Sequence, residues 1–208
     1  MKNPWLRISL EDYENHMSLP SIAQAHYLSS FFQKLLTLYH PKSVAILGCA
    51  GGNGLEKINS EITQRVVCVD INPAFVRTAE ERYNSVTQNT EFLSGDISSG
   101  KIIFPPVEII FAGLLFEYVN LDLALENIGR LICENGKLAV VLQIPNPDIA
   151  EVSPSPYISL EILSEVFSFV SPEKFIAACE SKGLNLVLRD KTRLNSGKEF
   201  IELVFKKK

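Results

Sequence analysis

The sequence predicts an α/β fold, a mostly parallel sheet with helices on both faces, and three observations lead there. Residues 44–54 read VAILGCAGGNG, an apolar strand running into four glycines within seven residues. Apolar runs with strand character then alternate with helix-patterned segments from residue 43 to 144. Two β-rich runs, 184–193 and 199–206, close the chain through Asn195-Ser196-Gly197, a joint so short that it demands an antiparallel hairpin.

The elements follow in order. Ser9 and Asp12 have the S-x-x-D spacing of a helix start, after which Tyr13, His16 and Met17 share a face. Pro20 and Ser21 open a second helix with Ile22, Ala25, Leu28, Phe32, Leu35 and Leu36 as its stripe, and His40-Pro41 ends it. The first strand spans 43–47, and a short helix over about 55–61 follows the glycines. A second strand, 65–69, ends at Asp70, and Asn72-Pro73 has the chemistry to start a helix over 73–83. The third strand lies around 90–93 and ends in Gly95-Asp96. The fourth, 107–111, leads into 114–119. Asn120 caps a helix carrying Leu121, Leu125, Ile128, Leu131 and Ile132. Glu134-Asn135-Gly136 then turns into a fifth strand, 137–144. Four prolines between 145 and 156 forbid a regular element there. An amphipathic helix is expected over 159–170, and Ser171-Pro172 starts another that reaches Ser181.

With 208 residues, 46% hydrophobic and 21% charged, the chain has the size and composition of one globular domain. The net charge of −4 gives no basic footprint for nucleic acid. No apolar run reaches membrane-span length, and the first residues lack the apolar core of a signal peptide. Cys49, Cys68, Cys133 and Cys179 show no C-x-x-C pairing, so no metal site is expected and the address is cytoplasmic. Lys206, Lys207 and Lys208 read as a short solvated tail.

The glycine spacing narrows the ligand class. A dinucleotide fingerprint, G-x-G-x-x-G, fails from Gly48, where the third and sixth positions are Ala50 and Asn53. It fails from Gly52 as well, where the sixth is Lys57. A phosphate loop lacks its Gly-Lys-Ser/Thr. The pattern that fits is G-x-G-x-G with Ala50 at its centre, between Gly48 and Gly52. It resembles motif I of the class I S-adenosylmethionine-dependent methyltransferases, with Ile46 where many members carry an acid. Asp70 lies 22 residues beyond Gly48, near the interval at which an acid grips a ribose diol. The alternative use of Asp70, capping the next helix, is already filled by Asn72.

The resemblance covers residues 43–144 motif by motif. It implies a three-layer Rossmann-like fold with seven strands in the order 3-2-1-4-5-7-6, strand 7 antiparallel, and N-terminal helices. It implies S-adenosylmethionine as cofactor, held by Gly48, Cys49, Ala50, Gly52, Asp70, Ile71, Asp96, Ile97, Gly113 and Leu114. Asp96 would accept the adenine amine while Ile97 packs on the ring. Residues 112–114 would line the methionine arm. Valine at Gly48 or Gly52 would fill cofactor space. Catalytic candidates are His16, Tyr13 and Tyr118, with His16 equally readable as a half-buried histidine without chemistry.

The whole chain is expected to form one methyltransferase domain. Its parts would be a helical cap (1–40), a cofactor core (43–144), a substrate-cap insertion (145–170) and a closing helix and hairpin (171–208). The acidic, compact chain points to a small-molecule acceptor rather than nucleic acid or membrane. A cofactor-binding protein without catalysis is the rival reading, and a NAD-dependent oxidoreductase comes third. A dehydrogenase sheet would end in a sixth parallel strand.

Overall fold

A computed structural model describes residues 3–208. Seven strands form one sheet in the order β3-β2-β1-β4-β5-β7-β6. They are β1 (Ser43–Leu47), β2 (Arg65–Asp70), β3 (Asn89–Ser94), β4 (Val107–Gly113), β5 (Ile132–Ile144), β6 (Leu184–Arg193) and β7 (Glu199–Lys207). The first five run parallel, and β7 lies antiparallel between β5 and β6. This is the predicted methyltransferase order, and the antiparallel β7 departs from a dehydrogenase sheet.

The centre of the sheet is apolar on both faces because helices cover both. Alternate residues of β1 divide between two cores. Val44 and Ile46 pack with Val66, Cys68, Ile109 and Phe111 against Phe31, Phe32 and Leu35 of α2 (Gln24–Tyr39). Ala45 and Leu47 pack with Val67, Val69 and Ile110 against two other helices. These are α4 (Leu121–Leu131), through Leu125 and Ile128, and α5 (Pro172–Ser181), through Phe175. Each such large apolar side chain contributes about 1.5–3 kcal/mol by leaving water.

Caps set where helices begin. Ser9 accepts the Asp12 amide at 3.1 Å at the head of α1 (Leu10–Ser18). Asn72 accepts the Ala74 amide at 2.9 Å ahead of α3 (Pro73–Tyr83), with Pro73 in the first turn. Asn120 and Ser171 do the same for α4 and α5. Each cap satisfies a backbone donor that the helix itself cannot.

Local turn chemistry overrides several expected boundaries. The second helix starts at Gln24 rather than at Pro20-Ser21, because the amides of Ile22 and Ala23 both bond the Leu19 carbonyl and Ala23 is left-handed (φ 54°). The helix expected after the glycine turn is a single 3-10 turn, Leu55–Lys57. Beyond it the Asn59 side chain takes the Glu61 amide at 2.9 Å and starts a turn instead. β5 begins at Ile132, so Glu134-Asn135-Gly136 lies inside the strand as an irregularity, with Asn135 at φ 62°. The expected helix over 159–170 is a shorter 3-10 segment, Ile158–Glu165. The terminal lysines are not a free tail. Lys206 and Lys207 belong to β7, and Lys207 Nζ donates to the carbonyls of Gly129 (3.0 Å) and Ile132 (3.1 Å).

Two segments stand outside the strand–helix alternation and meet over the carboxyl edge of the sheet. Residues 3–18 form a 3-10 turn, Pro4–Arg7, followed by α1. Residues 145–170 come back across them. Ile8, Leu160, Leu163 and Phe75 make a small core of their own, with Trp5, Tyr13 and Tyr118 against it. His16 Nδ1 lies 2.8 Å from Ser155 Oγ, and Ser159 Oγ donates to Asp12. Residues 1 and 2 of the expected 1–40 cap lie outside the described residues.

Candidate functional site

The turn after β1 is braced from β2. The amides of Gly48 and Cys49 both donate to the Val69 carbonyl, at 2.8 and 3.1 Å. The Ala50 amide donates to Asp70 Oδ2 and the Asn72 amide to Asp70 Oδ1, each at 2.9 Å. Asp70 thus ties the turn to the start of α3. Burial pushes its carboxyl above the usual carboxylate range, and the backbone donors oppose that rise. Gly48 has φ +73° and Ala50 φ +46°, a conformation in which an L side chain is strained.

A cavity of about 320 Å³ opens above this turn. Gly48, Ala50, Asp70, Ile71, Asp96, Ile97, Gly113 and Leu114, all singled out from the sequence, line it. At its far end Asp96 Oδ1 takes the Ser98 amide at 2.7 Å. The Ser98 hydroxyl is buried without a partner among the described residues.

Two expected cofactor residues do not face this cavity. Cys49 borders an adjoining hollow of about 320 Å³, which shares Tyr13, Leu47, Gly48, Ala50 and Gly113 with the first cavity and adds Glu14, Met17 and Arg82. A Cβ at Gly52 would stand 2.7 Å from the Tyr83 ring. Glycine is needed there by its φ of +95° and by packing against α3, so valine at Gly52 would strain the backbone and collide with the fold. A Cβ at Gly48 would instead approach Leu115, another wall residue of the first cavity, at 3.4 Å.

The three catalytic candidates gather around a second, smaller cavity of about 50 Å³. Trp5, Tyr13, Leu114 and Tyr118 are shared walls of the two cavities. Leu114 itself is left-handed (φ 55°). Trp5 meets Tyr13 and Tyr118 edge-on at centroid distances of 5.5 and 5.0 Å. The Trp5 carbonyl accepts from Asn72 Nδ2 at 2.9 Å, which pins the N-terminal segment to the start of α3. His16 belongs to the second cavity only. Burial, then the nearby Lys198 charge, lowers its pKa, so its imidazole is neutral at pH 7 and able to accept a proton. Burial raises both phenols further above neutrality, so Tyr13 and Tyr118 are hydroxyl donors and not ready bases.

Sequence reasoning missed several of these wall residues. Trp5 falls in a stretch without periodicity. Ser98 reads as an ordinary turn serine. Gln143 ends an apolar strand, and Lys198 follows a turn as many exposed lysines do. A sheet order, not a local pattern, brings Lys198 beside residues 16 and 143.

A seven-stranded sheet with this order, a glycine turn after β1 and an acid ending β2 defines a methyltransferase-type site. Residues 46–140 match the family model described as "Methyltransferase domain". A TehB-like SAM-dependent methyltransferase from Corynebacterium glutamicum superposes with a TM-score of 0.61 at 17% identity, over 85% of this chain and 87% of that one. Magnesium protoporphyrin IX methyltransferase from Synechocystis, with bound S-adenosylhomocysteine, gives 0.66 at 11% identity over 90% and 84%. Geranyl diphosphate C-methyltransferase from Streptomyces coelicolor gives 0.66 at 13% identity over 90% and 82%. No protein of curated function matches by sequence. Residues 46–140 thus match a methyltransferase domain, the fold is that of these solved structures, and the group such a site implies is S-adenosylmethionine.

The residues present fit that group. Each Asp70 oxygen spends one lone pair on the backbone and keeps another for a ribose hydroxyl. One Asp96 oxygen makes no hydrogen bond among the described residues, and the orphaned Ser98 hydroxyl stands beside it in the wall.

Proposed function

We propose that the protein methylates a small-molecule acceptor held in the second cavity. The observation that carries this reading is the pair of cavities separated only by Trp5, Tyr13, Leu114 and Tyr118. One has the polar groups for a nucleoside; the other, adjacent, has aromatic walls with Lys198, His16, Gln24 and Gln143 among its polar groups.

In this reading Asp70 takes the ribose and Asp96 the adenine amine. Ile71 and Ile97 pack on the adenosine, and Gly48, Ala50, Gly113 and Leu114 leave room for the methionine arm. Gly52 supports the turn from behind, and Cys49 borders the adjoining hollow. When bound, S-adenosylmethionine supplies an activated methyl and its own leaving group. The chain's task is then alignment and exclusion of water. Residues 3–18 and 145–170 form the roof that excludes it. His16 is the one candidate base with a neutral, accepting nitrogen beside the acceptor cavity. Tyr13 and Tyr118 orient the acceptor as hydroxyl donors. The net charge of −4 and an acceptor space this small disfavour nucleic acid. The free, mostly buried cysteines fit a cytoplasmic address.

The test is transfer of label from methyl-tritiated S-adenosylmethionine into a cell extract divided into small-molecule filtrate, protein and nucleic acid. Label in the filtrate supports the reading. Label confined to either macromolecular fraction overturns it.

A further inference from the structure

The hairpin between β6 and β7 sends one charged side chain into the acceptor cavity. Lys198, just ahead of β7, is 3% exposed, and it lines that cavity. Its Nζ donates to Gln143 Oε1 at 3.3 Å and to the Glu151 carbonyl at 2.6 Å. Both acceptors are neutral, and an ammonium has three protons to give. No carboxylate among the described residues pairs with it. Glu117 stands on the other side of Gln143, where its Oε1 takes the Gln143 amide at 2.8 Å. The Glu151 side chain is exposed, and that residue reaches Lys198 through its backbone alone. A buried ammonium whose direct partners are neutral is costly. The buried Glu117 Oε2 is left without a hydrogen-bond partner among the described residues instead of being turned to Lys198, so an anion from a ligand would complete the ammonium's set.

The rest of the cavity suits the remainder of such a ligand. Trp5, Tyr13, Tyr118 and Phe167 present aromatic surface, and Gln24 and His16 add polar groups at one end. One ammonium in so small a space balances a monoanion, not a phosphoryl group.

We propose that Lys198 is the specificity-determining residue of the acceptor cavity, receiving a carboxylate of the acceptor on its remaining N–H while the aromatic walls take the acceptor's apolar part. This rests on reading the second cavity as the acceptor site. The competing account is that Lys198 and Glu117 compensate each other across Gln143 and serve only the fold.

Acetate, butyrate and benzoate, each against its amide, separate the two accounts by calorimetry on S-adenosylhomocysteine-loaded protein. Wild type should bind at least one acid about tenfold or more tightly than its amide. Lys198→Met should lose that preference and Lys198→Arg should keep it, with S-adenosylhomocysteine affinity unchanged in both. Equal binding of acid and amide by wild type overturns the proposal, even if the methionine variant fails to fold. So does a preference that survives in Lys198→Met, or a wild type that binds S-adenosylhomocysteine but none of the acids. Failure of S-adenosylhomocysteine itself to bind strikes instead at the site reading, and the same titrations without it then report on Lys198 alone.

Discussion

If Asp70 takes the ribose as proposed, it does two jobs with one carboxylate, so its removal has two readouts. Asp70→Ala should weaken S-adenosylhomocysteine binding by ~1.5–3 kcal/mol, as for a hydrogen bond to a charged group. It should also lower the melting temperature, because the amides of Ala50 and Asn72 lose their acceptor. Titration calorimetry with a melting curve of the same sample checks both. Glu117 and Lys198 add a pH signature of opposite senses. Burial raises Glu117 from 4.5 to about 7, so the stability tied to its neutral form is complete below pH 4.5 and lost as pH rises through 7. Burial lowers Lys198 from 10.5 to about 8, so stability tied to its neutral form is complete above 10.5 and lost as pH falls through 8. Glu117→Gln should flatten the melting temperature between pH 4.5 and 7, and a curve that keeps its wild-type slope there contradicts the assignment. Asp70, ending β2, and Asp96, two residues past β3, were legible as walls of the first cavity because their place at the carboxyl edge and their spacing announce them. Lys198, Gln143 and Trp5 were not, since each owes its place to chain segments far apart in sequence.

At the scale of single elements, strands and caps were the most legible. Asn72-Pro73 and Ser171-Pro172 mark the starts of α3 and α5 because side-chain oxygen and proline each settle one backbone problem there. Elements failed to follow the pattern where a turn residue competed: Ala23 before α2, Asn59 after the glycine turn, and the prolines ahead of residue 158. Ala50 is the clearest element-level liability, an alanine at φ +46° in the turn after β1. Ala50→Gly should relieve that strain and raise stability by up to about 1 kcal/mol, the gain reduced by glycine's larger freedom in the unfolded chain. A lower melting temperature in this variant would mean that the Ala50 methyl packs for more than its strain costs. Ser9→Ala should remove the cap of α1 for about 1 kcal/mol, felt locally as faster amide exchange through residues 10–18 and not in the sheet.

Across the whole molecule, the two segments outside the strand–helix alternation share a small core of their own, and in the proposed reading they cover the site. Cofactor should therefore slow proteolysis within residues 3–20 and 145–160 while leaving a distant loop, residues 84–88, equally sensitive. Equal cleavage everywhere with and without cofactor would make the cover a passive addition to the core. The hydrogen bonds from α1 to residues 155 and 159 carry a kinetic meaning as well. A roof fastened at two points lets the spent nucleoside leave only when both fasteners open together. Where that joint opening is slower than methyl transfer, it sets the pace of repeated cycles. Ser159→Ala would leave one fastener, shorten the residence of S-adenosylhomocysteine in a stopped-flow chase, and raise steady-state turnover. The same retention predicts that the protein is isolated with S-adenosylhomocysteine already bound, which mass spectrometry of the freshly purified protein would read.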